Sequence, residues 1–249
     1  MISVKSEREI ELMRHAGHIN FLTHEEIKKH IRPGVRTEEL DRIAHDFIIK
    51  NDCVPSELGY EGYPKSICVS INDEVVHGIP GKRKIKNGDI VSIDLCVGYK
   101  GYHSDAARTY IVGNVSCEVK DLVENTRLAF YRGLSKVKPG AKIGDISHAI
   151  EEFAHSHGLS VVEELVGHGI GTSIHEEPDV PNYGSAGKGY TLKPGMTIAI
   201  EPMLNLGSKN VCMTDQDDWT IVTEDESPSA HYENTVLVTE DGYEILTGE

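Results

Sequence analysis

The chain has 249 residues, 39% of them hydrophobic and 26% charged, enough to bury a sizeable core as one large unit or as two fused halves. Forty acidic residues against 25 basic ones give a net charge of −15, which argues against non-specific binding to nucleic acid or an anionic membrane and leaves acidic groups to hold cations. Five cysteines form no CxxC pair and the charged N-terminus lacks an apolar run, so neither a disulfide scaffold nor a signal peptide is expected; a reducing cytoplasm is the natural home.

The first element is a helix over about residues 6–31, opened by Ser6 with Glu9 three residues on, the spacing of a capping box. A Pro-Gly turn then leads into RPGVRTEELDRIAHDF (32–47), where Leu40, Ile43, Ala44, Phe47 and Ile48 mark one buried helix face. His15, His18, His24, His30 and His45 fall on these helical segments and are expected in solvent. Further on, DIVSIDLCVG (89–98) alternates as a strand: Val91, Ile93, Leu95 and Val97 share one face, Ser92, Asp94 and Cys96 the other. Gly98-Tyr99-Lys100-Gly101 reads as a hairpin turn. Centred on Tyr99-Lys100, it sets Asp94 directly opposite Asp105, with Cβ atoms roughly 5 Å apart. Two facing carboxylates repel unless a cation lies between them.

The second half repeats the first. A helix over about 117–136 precedes KPGAKIGDISHAIEEF (138–153), which matches 32–47 at an offset of 106 in its Pro-Gly, basic, apolar and terminal Phe positions. His148, His155 and His157 on these helices are again expected in solvent. His77-Gly78-Ile79 recurs as His168-Gly169-Ile170. IKNGDIVSID (85–94) aligns with LKPGMTIAIE (192–201), setting Asp94 against Glu201, and His103-x-Asp105 recurs as His231-x-Glu233. This order predicts a duplicated α+β unit, with halves of about 1–115 and 116–249, two sheets meeting across a pseudo-twofold axis, and helices packed outside.

Glu201 and Glu233 thus occupy the places of Asp94 and Asp105, and His168, inside GHGIG, is the natural nitrogen ligand. One imidazole and four carboxylates balance two divalent cations. An oxygen-rich set suits manganese, iron(II) or cobalt better than a closed structural zinc site. Two such ions about 3.5–4 Å apart would hold and activate one water. The competing motifs fail: GHGIG lacks the spacing of a dinucleotide loop, GSAGKGY has no Ser or Thr after Lys188, and no GxSxG elbow is present.

GYPKSICVSINDEVVHGIP (62–80), the Asp94/Asp105 hairpin, GHGIGTSIHEEP (167–178), IEPML (200–204) and HYENT (231–235) together resemble the bacterial type I methionine aminopeptidases over essentially the whole chain. The resemblance implies the α+β pita-bread fold in a single catalytic domain, 1–249. It implies removal of the initiator methionine from nascent polypeptide N-termini when the second residue is small, by a hydroxide held between two divalent ions (Mn, Fe(II), Co or Zn). It makes Asp94, Asp105, His168, Glu201 and Glu233 the metal ligands, with Asp105 and Glu233 bridging. His175 would stabilise the oxyanion, His77 would lie on the leaving side, and Glu201 would take the proton. Tyr60, Tyr63, Cys68, Ile174 and Trp219 would form the methionine pocket. Two departures stand out: Ile174 where many relatives have an aromatic residue, and Glu57 near the pocket entrance, where relatives often have a small or apolar one. A cytoplasmic monomer is expected, without nucleic-acid or membrane partners, with transient ribosome contact left open. The alternatives are a proline-specific aminopeptidase or dipeptidase of the same fold and a non-catalytic peptide-binding relative.

Overall fold

The computed structural model describes residues 2–248. In the first half, helices α1 (Glu7–Lys28) and α2 (Thr37–Lys50) precede strands β1 (Val54–Pro55), β2 (Cys68–Ile71), β3 (Glu74–Val76), β4 (Ile90–Tyr99) and β5 (Tyr102–Ile111). The second half opens with α3 (Cys117–Leu134) and α4 (Ile143–Ser156), followed by β6 (Ser160–Val161), β7 (Gly167–Gly169), β8 (Glu176–Val180) and β9 (Thr197–Ile200). It closes with β10 (Met203–Asn205), β11 (Val211–Met213), β12 (Ile221–Thr223), β13 (Ser229–His231), β14 (Asn234–Val238) and β15 (Tyr243–Ile245).

The halves follow one plan. Each carries a helix pair packed on the apolar face of an antiparallel sheet, so the α+β pita-bread expectation holds. In the first, β5, β1 and β2 flank β4; in the second the order is β15-β14-β9-β7-β8. Ile19, Ile27, Leu40, Ala44 and Ile48 of α1 and α2 bury against Val91, Ile93, Leu95 and Val97 of β4, the face that alternation assigned to the core. Leu122, Phe130, Ile146 and Ile150 of α3 and α4 bury in the same way against Ile198, Ile200, Val236 and Val238. The Ser6–Glu9 capping box forms, the Ser6 N–H and hydroxyl each donating to Glu9 Oε2 at 2.7 Å. The two remaining strand groups, β13-β10-β6 and β11-β12-β3, lie beside these sheets, and β3 reaches into the second half through Val76 opposite Ile221.

Two expectations change. The hairpin turn is Lys100-Gly101, both at positive φ (49° and 84°), with Tyr99 paired to Tyr102. That is the two-residue turn whose twist matches its strands. The register therefore sets Cys96 opposite Asp105 and Ala107 opposite Asp94, so the two aspartates are same-face diagonal neighbours, not a facing pair. His24, expected in solvent, is 2% exposed. It lies on the buried face of α1 with Asn20, Thr23 and Ile27, and its Nε2–H donates to the Ala106 carbonyl at 2.9 Å.

The two sheets are stitched together at their centre. Thr235 Oγ1 accepts from the Asp105 N–H at 2.8 Å and donates to the Asp105 carbonyl at 2.9 Å. Thr109 Oγ1 does the same for the His231 carbonyl and N–H, both at 2.9 Å. The Glu233 N–H donates to the Ala107 carbonyl at 3.0 Å, and the Arg108 guanidinium donates to the Glu233 carbonyl and to Asn234 Oδ1. Every bond in this seam flanks a residue that the sequence singles out.

Candidate metal centre and peptide pocket

Asp94 and Asp105 leave β4 and β5 on the face turned away from the first helix pair. Glu201 follows β9 and Glu233 precedes β14; the register of that pair, Asn234 opposite Ile200, carried one residue further sets Glu233 against Glu201. His168 sits in β7 between two glycines whose role is steric: a Cβ on Gly167 would meet the Ala199 carbonyl oxygen at 2.4 Å and one on Gly169 the Glu177 carbonyl oxygen at 2.3 Å. Only glycines let β7 lie so tightly between β8 and β9. The His168 Nδ1–H donates to the Gly169 carbonyl at 2.9 Å, which leaves Nε2 bare and facing Glu201 Oε1 at 3.3 Å and Asp105 Oδ2 at 3.9 Å. An imidazole held at one nitrogen with the other free is oriented as a metal ligand.

The five side chains gather in one region, with Asp94 grouped beside Glu57 and Cys68. Donor atoms of Asp105, His168 and Glu233 lie within 4.8 Å of one another, and Glu201 joins Glu233 in a second such group. Asp94 Oδ1, Asp105 Oδ1 and Glu233 Oε1 are buried with no hydrogen-bond partner among the described residues. Buried acceptors without partners cost free energy. Burial first, and then the negative charge of Asp105, holds the Asp94, Glu201 and Glu233 carboxyls well above the ordinary carboxylate range. Burial and the neighbouring His175 lower the His168 imidazole to about 4, leaving Nε2 a free lone pair at neutral pH. Divalent cations fit this set: they would pair the orphaned oxygens and remove the repulsion that burial amplifies.

Beside the cluster opens a cavity of about 130 Å³ walled by Tyr60, Tyr63, Cys68, His77, Ile174 and Trp219. All five expected pocket residues are thus brought to one place, with both histidines. Trp219 is half-buried and meets Tyr63 edge-on with ring centroids 5.1 Å apart and His77 at 6.4 Å, the posture of a wall and not of a core filler. Tyr63 is pinned by donating to the Gly78 carbonyl at 3.0 Å. His175 stands exposed at the rim; its Nδ1 pairs with the Tyr60 hydroxyl at 2.8 Å, and its ring meets His168 edge-on at 4.3 Å. His77 has a left-handed backbone (φ 59°), and burial lowers its imidazole to about 4.

Glu57 departs from its expected place. It is 9% exposed, in the cavity wall, and accepts the Cys68 thiol at 3.3 Å. Burial, then Asp94 and Asp105, pushes its carboxyl up. Cys96 and His231 also belong to this region, as does the Thr235 clamp. Cys96 shares a face with Asp94, and His231 stands two residues from Glu233, so alternation alone could have found both. All five cysteines are free.

The fold and this constellation define a metallopeptidase: residues 11–240 match the model of metallopeptidase family M24, and the chain belongs to that family. It is 53% identical over 247 residues to methionine aminopeptidase 1 of Bacillus subtilis, covering 99% of both chains. Against the Escherichia coli methionine aminopeptidase it is 47% identical over 248 residues, 99% of this chain and 94% of that one. The crystal structure of methionine aminopeptidase from Rickettsia prowazekii superposes with a TM-score of 0.98 at 44% identity, each chain fully covered. A prolidase from Pyrococcus furiosus gives 0.78 at 25% identity, with 99% of this chain but only 65% of the prolidase covered.

Proposed function

We propose that this chain is an aminopeptidase that removes N-terminal methionine from peptides and nascent polypeptides whose second residue is small. One observation carries this reading: five donors from both halves, three of them with buried oxygens that have no partner among the described residues, gather at an aromatic-walled cavity of about 130 Å³. Asp94, Asp105, His168, Glu201 and Glu233 would hold two divalent cations, drawn from manganese, iron(II), cobalt or zinc, with Asp105 and Glu233 shared. Bound there, the cations would activate water at neutral pH and polarise the scissile carbonyl.

The protein's own groups do the rest. Trp219, Tyr63, Tyr60, Ile174 and Cys68 take up the thioether side chain, giving apolar burial and sulfur–aromatic contact. With the Tyr60 hydroxyl donating to His175 Nδ1, the His175 proton sits on Nε2, free to donate to the carbonyl oxygen as charge builds on it. His77, fixed on the far wall beside Trp219, orients the leaving side of the peptide. Glu201 receives the proton released by the attacking water and delivers it to the departing amine. Residues 1–249 are read as one catalytic domain acting as a cytoplasmic monomer, with any ribosome contact transient. Among the described residues no helix is long and apolar enough to cross a membrane.

The test is metal titration of apo-protein followed by assay on Met-Ala-Ser, Met-Lys and Ala-Pro peptides. Metal-dependent release of methionine from Met-Ala-Ser alone is the expected result. Cleavage of Ala-Pro would move the chain to the proline-specific branch, and binding without hydrolysis would make it a peptide-binding relative.

A further inference from the structure

His231 stands outside the five-ligand set, yet its buried ring borders two of those ligands. It is 1% exposed, and neither ring nitrogen has a hydrogen-bond partner among the described residues. Its backbone is clamped on both sides by Thr109, at 2.9 Å each way, so the ring is aimed by the seam between the sheets. Nε2 lies 3.8 Å from Glu201 Oε2 and 4.0 Å from Glu233 Oε2. Both distances exceed the range of about 2.7–3.2 Å for an N–H···O bond. They suit a shared cation: two donors each about 2.1 Å from one ion lie roughly 3.0–4.1 Å apart for angles of about 90–150°. His168 makes the comparable approaches, at 3.3 and 3.9 Å, to Glu201 Oε1 and Asp105 Oδ2. The two oxygens of Glu201 therefore face different imidazoles. The repeat-related His103, its Nδ1 paired with Ser56 Oγ at 2.8 Å, belongs to none of the grouped donors of the cluster.

We propose that His231 is a sixth ligand, binding a divalent cation seated between Glu201 and Glu233, so that the two-ion centre carries two imidazoles. This rests on the metallopeptidase reading of the same cluster. A second nitrogen donor enriches the site for iron(II), cobalt and zinc over manganese, which prefers an all-oxygen shell.

The experiment is X-ray absorption on apo-protein loaded with two equivalents of cobalt(II), with calorimetric titration of cobalt and manganese, for the parent, His231→Gln and His168→Gln. The parent should show one imidazole per cobalt, and either substitution should halve that. His231→Gln should weaken one cobalt-binding step by about 10–100-fold and manganese binding less. One imidazole per two cobalts in the parent, or the same count in parent and His231→Gln, overturns the sixth ligand while leaving the five-ligand site intact. Should His231→Gln fail to fold, the parent count and its change in His168→Gln still decide the matter. If the parent takes up no cobalt at all, the metallopeptidase reading itself fails.

Discussion

In the first half the acid-bearing strands β4 and β5 run ten residues each and meet through Lys100-Gly101, whereas β9 and β14 in the second are four and five residues long and far apart in sequence. Between them the chain makes the excursion β10–β13, in which β12 crosses to pair with β3 and brings Trp219 against Tyr63 and His77. Asp94 and Asp105 are therefore fixed by one local hairpin. His168 in β7, Glu201 just after β9 and Glu233 just before β14 depend on long-range pairing for their relative position. The first half thus presents its acids on a compact hairpin, while the longer connection of the second adds Trp219 to a cavity wall whose Tyr60, Tyr63, Cys68 and His77 come from the first.

The largest expected effect tests whether both copies are needed. His168→Ala or Glu201→Gln from the second half, and Asp94→Asn from the first, should each abolish turnover of a Met-Ala-Ser peptide while leaving the far-ultraviolet circular dichroism unchanged. A variant retaining most of its activity would remove that residue from the site. Next comes His175→Ala, which lies at the rim and outside the ligand set: kcat should fall by about 10²–10³, the usual loss for one oxyanion donor, with KM little changed. Equal kcat in parent and variant would leave the Tyr60–His175 pair without a catalytic role.

This contrast between the halves also sets what could be read from the sequence. Alternation in β4 placed Val91, Ile93, Leu95 and Val97 in the core and Asp94 on the site face, because successive strand side chains point to opposite faces and nothing disturbs that here. The turn was misplaced because Gly98-Tyr99-Lys100-Gly101 offers two glycines. Gly98 is spent on packing, since a Cβ there would meet Val54 Cγ2 and Ser56 Oγ at 2.7 Å, so the positive φ falls at Lys100 and Gly101. That contact comes from Val54 in β1 and Ser56 just after it, about 40 residues earlier in the chain, and no local pattern encodes it. Glu57 and His24 were misjudged for the same reason. A polar residue's burial depends on which partner arrives across the fold: Cys68 for one, the Ala106 carbonyl for the other.

A milder variant tests the seam that joins the halves. Thr235→Val preserves shape but leaves the Asp105 N–H and carbonyl without their partner, so thermal unfolding should show a loss of about 1–3 kcal/mol. Asp105 would also be less firmly held, and metal affinity should fall with stability. A stability loss with unchanged affinity would show that the hairpin alone positions Asp105, making the first half self-sufficient.

The smallest effect concerns His24, on the helix side of β5. Burial first, and the nearby Arg108 second, lowers its imidazole from 6.5 to about 3. The unfolded chain therefore binds a proton at this position before the folded one does. Stability from the neutral imidazole is complete above pH 6.5 and declines as pH falls from there toward 3, at up to about 1.4 kcal/mol per pH unit. The raised carboxyls of the site shift stability with pH in the opposite sense, so the parent alone would not isolate the effect. His24→Gln keeps an N–H donor for the Ala106 carbonyl but cannot be protonated. Unfolding free energies of the two proteins, measured by denaturant from pH 8 to pH 4, should converge as pH falls, because only the parent carries this linkage. Parallel curves would mean that His24 is hydrated or already charged in the folded state, and that the first half's core is less dry than its packing indicates.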